Sequence, residues 1–153
     1  MKQRNVFLLL ISVVCFLSTT ATLEEPAIDQ LVTELEPVPT YQFKGTHYFA
    51  QYYGCNVEAM TNTFHLLAYF TKAIDKSGAT LLRIAPHTFD NKAMTIAAAL
   101  SESHASIHTY PEHGAVFVDL FTCGDNCDWR EFEKALKRYL QPTKIHRKVK
   151  VRK

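Results

Sequence analysis

The sequence feature that most constrains the fold is a pair of short segments, 104–109 and 115–122, in which buried-type apolar residues recur at every second position. A period of two is typical of strands that bury one face of a sheet. Residues 110–114, between the two segments, include a proline and a glycine, which favour a tight turn. The pair therefore predicts two antiparallel strands that need further strands and a covering layer.

Four more strands and two helices are predicted around this pair. The strands are 45–54, 79–85, 94–100 and 143–151. The first helix follows Asn56 and ends at Ser77-Gly78, with a stripe made of Val57, Met60, Phe64, Leu67, Thr71 and Ile74. The second helix is capped by Asp128 and stopped by Pro142.

The order β-α-β-β-β-β-α-β predicts an α/β (α+β) two-layer sandwich of the ferredoxin-like kind. Its antiparallel sheet carries both helices on one face. The opposite face then needs a cover, and a second subunit is the simplest one, so a dimer is expected.

The N-terminus resembles a secretory signal peptide, because Lys2 and Arg4 precede an apolar run at 6–17 that ends in small residues. The run is short for a helix that spans a bilayer. The expected organisation is a signal peptide at 1–21, a linker rich in Glu and Pro at 22–44, and one domain at 45–153. Such a leader predicts export or membrane association.

Charge argues against a nucleic-acid partner. The chain carries 17 Lys and Arg against 15 Asp and Glu, a formal net charge of +2. Loss of the leader removes Lys2 and Arg4 and leaves a nearly neutral domain, which lacks the basic excess of a nucleic-acid-binding protein. The basic segment 146–153 alternates with Val149 and Val151, as expected of an exposed edge strand.

The cysteines and histidines form no metal-binding motif. Cys15 lies in the leader, which leaves Cys55, Cys123 and Cys127 in the domain. These three permit one disulfide and a free thiol, or three free thiols. There is no Cys-x-x-Cys and no His-Glu-x-x-His spacing, so no metal site is predicted.

Reactive side chains concentrate in 100–124, where Glu102 precedes Ser103. A serine hydroxyl can attack the carbonyl of the preceding residue when the turn is strained and a base is near, which turns the amide into an ester. Elimination across the serine Cα–Cβ bond then leaves dehydroalanine, which hydrolyses to a pyruvoyl group. That ketone forms a Schiff base with an amine substrate and accepts the electrons released by decarboxylation. An acid–serine pair is common, so the pair alone does not establish this chemistry.

The surrounding sequence resembles a known family. Residues 101–112 read SESHASIHTYPE, and residues 119–124 read DLFTCG. This pattern is similar to the signature of the self-processing, pyruvoyl-dependent S-adenosylmethionine decarboxylases of bacteria and archaea. A weaker likeness covers about residues 45–151.

The resemblance implies a set of catalytic roles. It implies autocleavage between Glu102 and Ser103, after which Ser103 becomes the pyruvoyl cofactor of the C-terminal chain. His108 matches the histidine that assists processing, and an imidazole is a common side chain for a general base. Cys123 matches the thiol that returns a proton to carbon after carbon dioxide leaves. The product would be decarboxylated S-adenosylmethionine, used in spermidine and polyamine biosynthesis.

The resemblance also implies three residues at the substrate-binding site. Phe89 matches the aromatic residue that stacks on the adenine, and Glu112 matches a carboxylate at the rim of the site. Thr95 stands where the family usually has a serine near the processing site. The loop 90–94 reads DNKAM and departs from the family, since Ala93 replaces the glycine of a Pro-x-Gly-type loop.

Two alternatives remain open from the sequence. Asp90 and Lys92 add charges to the loop, so the same pyruvoyl chemistry on ornithine or arginine is a second hypothesis. A binding protein on the same fold that does not process itself is a third.

The family role is cytoplasmic, in contrast to the exported role that the leader predicts. The family also implies a homodimer of processed two-chain protomers that shares its active sites, with Phe89 or Glu112 donated across the interface.

Overall fold

One antiparallel sheet organises the part of the chain that the computed structural model describes, residues 43–153. Its strands are β1 (Gly45–Tyr53), β2 (Leu81–Thr88), β3 (Met94–Leu100), β4 (Ser103–Tyr110), β5 (Ala115–Thr122) and β6 (Lys144–Arg152). The helices are α1 (Val57–Thr61), α2 (Thr63–Lys76) and α3 (Trp129–Leu140), with a 3-10 turn at Pro111–His113. The predicted leader at 1–21 and all but the last two residues of the predicted linker at 22–44 lie outside the described residues.

The strand order in the sheet is β2-β3-β4-β5-β1-β6, and every neighbouring pair is antiparallel. Strands β2 to β5 form a meander, and β1 joins its end beside β5. The central β4–β5 pair is the one predicted from the alternating segments, with Ile107 opposite Val118. Gly114 closes the connecting turn with a φ of 58°, a backbone conformation that glycine adopts at little cost. The predicted order of elements and the α/β two-layer class are therefore confirmed.

The core lies between one face of the sheet and the helices α2 and α3. Alternate residues of the central strands enter it, and Ile96, Ile107 and Leu120 are at most 1% exposed. The helices contribute Leu66, Phe70, Ile74, Phe132, Leu136 and Leu140, each 0% exposed. The sheet is therefore held by one continuous apolar layer, whose stabilisation scales with the area removed from water.

Aromatic packing fixes α3 on the sheet. The Phe132 ring lies between Tyr48 of β1 and Phe70 of α2, with centroid distances of 6.2 and 6.0 Å. The Tyr48 ring also stacks on Trp129 at 5.2 Å, and its hydroxyl donates to the Glu133 carboxylate at 3.0 Å. Burial raises the pKa of the Tyr48 phenol, so it stays a neutral donor.

The first predicted helix is in fact two helices that meet at Asn62. Asn56 and Asn62 each accept a backbone N–H of the following first turn, at 3.0 and 3.1 Å, and so cap α1 and α2. Val57 and Phe64, predicted in the buried stripe, are 53% and 77% exposed. That part of the prediction was wrong because the spacing of threes and fours was read through the break.

Strand β2 extends to Thr88, beyond the predicted end at residue 85, and includes Pro86. Pro86 is in register with Ile96 of β3. Proline is tolerated here because β2 is an edge strand whose outer side needs no hydrogen bond. The connection between β2 and β3 is therefore residues 89–93.

The second sheet face, here called the open face, carries no helix within residues 43–153. It presents His47, Phe49, Thr95, His104, Ser106, His108, Phe117, Asp119 and Phe121. Phe117 is 41% exposed, and the small residues Ala97 and Ala99 are exposed near the centre of the face. A broad face of aromatic and small residues is typical of a surface that binds another protein.

No helix among the described residues has both the length and the apolar character needed to span a membrane.

Phe132→Ala should lower the free energy of unfolding by about 3–5 kcal/mol, because it opens a cavity where no neighbour can collapse fully. Phe64→Ala is the matched control and should change it by less than about 0.5 kcal/mol, since that ring is already in solvent. Urea titration at fixed protein concentration measures both. Equal losses for the two variants would contradict the placement of α2.

Candidate active site

Reactive side chains lie in two clusters at opposite ends of β4. The first, here called the cleavage cluster, consists of Glu102, Ser103, His104, Phe121 and Cys123. Ser103 is the register partner of Thr122, and the Cys123 N–H donates to the Glu102 carbonyl oxygen at 3.0 Å. A groove of about 540 Å³ opens at this end of the sheet, and Lys44, Arg152 and Lys153 complete its walls. The predicted cleavage bond and the predicted proton donor therefore share one groove.

Ser103 has a strained backbone. Its φ is 154°, outside the range that residues with a Cβ normally adopt. Such a conformation costs on the order of 1–3 kcal/mol and persists only where neighbouring structure imposes it. Here the β4–β5 ladder begins at Ser103 and holds it in place. Its hydroxyl oxygen lies 3.1 Å from Nδ1 of His104, a contact within hydrogen-bond range.

The Glu102 side chain anchors the other side of the same peptide bond. Its Oε2 accepts the backbone N–H of Thr80 at 2.9 Å. A Cβ at position 124 would lie 2.9 Å from Cγ of Glu102, so only glycine lets this side chain cross the end of β5. Both residues of the predicted cleavage bond are thus held by contacts with neighbouring segments.

Phe121 forms a platform beside Cys123. The ring extends over β1 at Gly45, where any Cβ would lie 2.4 Å from the ring and 3.1 Å from the Cys123 sulfur. His47 and His104 approach its edges, each with a centroid distance of 5.6 Å. The Arg152 guanidinium stacks on it at 4.4 Å from the ring centroid. Gly45 is therefore required for an aromatic surface next to the thiol.

The second cluster, here called the histidine cluster, lies at the far end of β4. His108 is the register partner of Thr95, and its Nδ1 is hydrogen-bonded to the Thr95 hydroxyl. The Phe89 ring contacts His87 and His108 edge-on, at centroid distances of 4.6 and 5.7 Å. Phe89 is 42% exposed, so its face is available to a ligand.

Glu112 lies at the same end, exposed in the 3-10 turn that follows β4. In the loop that departs from the family, the residue with positive φ is Lys92 (φ 64°), whereas Ala93 is 5% exposed. The added charges of Asp90 and Lys92 both face solvent.

The two clusters do not meet within one chain. Ser103 and His108 are five residues apart on one strand, a separation of about 16 Å at the usual strand rise. The residues predicted to cooperate in cleavage are therefore divided between two places on one surface.

All three cysteines of the described region are free thiols. Burial, with a further contribution from nearby Glu102, raises the pKa of the Cys127 thiol, so it remains protonated near neutral pH. Among residues 43–153, no three His, Cys, Asp or Glu side chains lie close enough together to hold a metal ion.

Comparison with known proteins identifies the family. Residues 46–153 match the family model described as S-adenosylmethionine decarboxylase. The chain belongs to the S-adenosylmethionine decarboxylase family. The resemblance carried by 101–112 and 119–124 is thereby confirmed.

Relatives of this decarboxylase family agree with the match. The S-adenosylmethionine decarboxylase proenzyme of Thermosipho melanesiensis is 39% identical over 103 residues, which cover 67% of this chain and 78% of that protein. The proenzyme of Pyrobaculum arsenaticum is 36% identical over 102 residues, covering 66% and 82%. The crystal structure of the adenosylmethionine decarboxylase from Aquifex aeolicus matches with a TM-score of 0.66 and 28% identity, covering 71% of this chain and 90% of that one.

Sequence reasoning missed His104 and Phe121 in the cleavage cluster, and it missed the cations Lys44, Arg152 and Lys153 of the groove. A signal for His104 was present, because it directly follows Ser103. Phe121 lies within the signature 119–124, but its contact with Arg152 had no sequence signal, since that contact depends on β1 and β6 pairing in the sheet and on the missing side chain at Gly45.

Proposed function

We propose that this chain is the precursor of a pyruvoyl-dependent decarboxylase that cuts itself between Glu102 and Ser103. The enzyme would convert S-adenosylmethionine to its decarboxylated form and carbon dioxide, for spermidine and polyamine biosynthesis. One observation carries the proposal: a non-glycine residue with strained backbone, Ser103, sits at the matched cleavage position with the Cys123 segment paired beside it.

The self-cleavage step uses the strain at Ser103. Its hydroxyl attacks the Glu102 carbonyl, and the amide bond between the two residues breaks as the ester forms. Relief of the strained φ favours the ester over the amide. The Glu102 side chain, fixed by Thr80, limits the movement of the acyl side during the attack.

A pyruvoyl group derived from Ser103 fits its surroundings. The groove is open to an incoming amine, and Cys123 lines it beside position 103. The ketone supplies an electron sink for the electrons that carbon dioxide leaves behind. Cys123 then delivers its thiol proton to the substrate carbon, while the Phe121 ring shields that side of the groove from water.

We further propose that the active enzyme is a homodimer formed by the open face. In this dimer the two sheets face each other, and a two-fold axis lies between them. The axis is perpendicular to the strands and passes near Ser106, so β4 of one protomer runs antiparallel to β4 of the other. It places the cleavage cluster of one protomer against the histidine cluster of the other. Ser103 then meets the partner's Thr95 and His108, and the small residues at the centre let the sheets approach closely.

The proposed dimer also gives a role to the residues expected to bind the substrate. Phe89 and Glu112 lie at the histidine end of the open face, so the adenine would stack on Phe89 across the interface from Ser103. Each chain then carries two incomplete half-sites, and the dimer contains two complete sites.

Intact mass of the purified protein tests the cleavage. We expect two chains that divide at Glu102/Ser103, and a Ser103→Ala variant that remains one chain. Ser106→Ala, on the same strand, is the matched control and should be cut normally. A single uncut wild-type chain that releases no carbon dioxide would support a binding protein instead.

Mixed dimers test the sharing of sites. Ser103→Ala and His108→Ala chains should each stay largely uncut when expressed alone. Expressed together, the His108→Ala chain should be cut, because the Ser103→Ala chain lends it an intact His108. His65→Ala, on the outer helix layer, is the control and should be cut unaided. If mixing restores no cleavage, His108 acts within its own chain and the proposed dimer is wrong.

Release of labelled carbon dioxide identifies the substrate. We expect turnover of S-adenosylmethionine and no more than background with ornithine or arginine. The solvent-facing charges of Asp90 and Lys92 motivate the two amino acids as comparisons. Turnover of ornithine or arginine alone would mean that the proposed chemistry is right and that the proposed substrate is wrong.

A further inference from the structure

Arg152 has a defined position in the groove although it lies next to the end of the chain. It is the register partner of Gly45 at the end of β6. Its guanidinium stacks on Phe121 with Cζ 4.4 Å from the ring centroid, and the same ring lies against Gly45 beside Cys123. One face of the head group thus packs on the Phe121 ring.

The groove around Ser103 is rich in positive charge. Its lining includes three cations, Lys44, Arg152 and Lys153, and one carboxylate, Glu102. The Glu102 side chain is already occupied by the Thr80 N–H. The groove therefore favours an anionic group on the molecule that enters it.

We propose that Arg152 binds the α-carboxylate of the substrate and so orients the amino acid for reaction at position 103. This inference rests on the proposed decarboxylase function. The amine of the substrate must reach position 103, and its carboxylate carbon lies only about 2.5 Å from that nitrogen. Arg152 is suited to the carboxylate because a guanidinium makes two parallel hydrogen bonds to one, and its stacked head group loses little freedom on binding.

Arg152 is expected to contribute to substrate binding and not to the chemical step. A cation paired with the carboxylate stabilises the bound substrate, and this stabilisation is lost as the carboxylate becomes neutral carbon dioxide. The side chain is exposed, so solvent screens its charge. Arg152 is therefore a substrate-positioning residue whose loss raises KM without lowering kcat.

The test compares Arg152→Gln with Arg130→Gln. Arg130 is the matched control, because its guanidinium also stacks on an aromatic ring, Trp129 at 4.8 Å, but on the helix layer away from the groove. Self-cleavage, followed by intact mass, should be complete in both variants. Arg152→Gln should raise KM for S-adenosylmethionine by about three- to tenfold and leave kcat the same or higher. Arg130→Gln should match the wild type.

Two further measurements test whether the effect of Arg152 depends on the substrate carboxylate. The inhibition constant of the decarboxylated product, which lacks that group, should be the same for Arg152→Gln and the wild type. In the uncut Ser103→Ala chain, calorimetry should show S-adenosylmethionine binding weakened by Arg152→Gln and unchanged by Arg130→Gln.

Equal changes in KM and in the inhibition constant of the product would overturn the inference, and so would no change in either. Failure of the wild-type protein to cut itself or to release carbon dioxide would instead overturn the proposed function. Since S-adenosylmethionine, ornithine and arginine all carry the α-carboxylate, the same measurements apply to whichever of them is turned over.

Discussion

The register of β4 against β5 is the constraint on which the rest of the site depends. It pairs Ser103 with Thr122 and brings the next residue, Cys123, to the carbonyl of Glu102. A shift of one residue would turn every side chain of β4 to the opposite face and expose Ile107 to solvent. The apolar core and the short turn together fix the geometry of the proposed cleavage bond, because alternate burial excludes a one-residue shift and the turn at Pro111–His113 limits larger ones.

Most of the fold was predictable from the sequence, because strands with one buried face and capped helices leave local patterns. The β4–β5 pair, the order of elements and the cap at Asp128 follow from residues close in sequence. The break at Asn62 was missed, since an asparagine inside a regular apolar spacing gives no clear stop signal. The extent of β2 was missed because proline marks a loop unless the strand is known to lie at a sheet edge.

The candidate site was predictable only in part. Glu102, Ser103 and Cys123 lie in one family signature, and the structure places them together. His108 belongs to the same signature but lies at the other end of β4, and strand geometry alone shows that the two ends cannot touch. Phe121 and Arg152 depend on a long-range approach made possible by Gly45, and a sequence does not reveal which distant strands are neighbours.

The distance between Ser103 and His108 along β4 has a consequence for how the protein matures. Under the proposed dimer, a newly made chain alone lacks the histidine that its own serine needs, so it remains inert until it encounters a second copy. Self-cleavage then follows second-order kinetics at low concentration, and the onset of activity reports how much chain has accumulated. In the proposed dimer, the separation of Ser103 and His108 along one strand would therefore make the rate of maturation depend on the concentration of the chain.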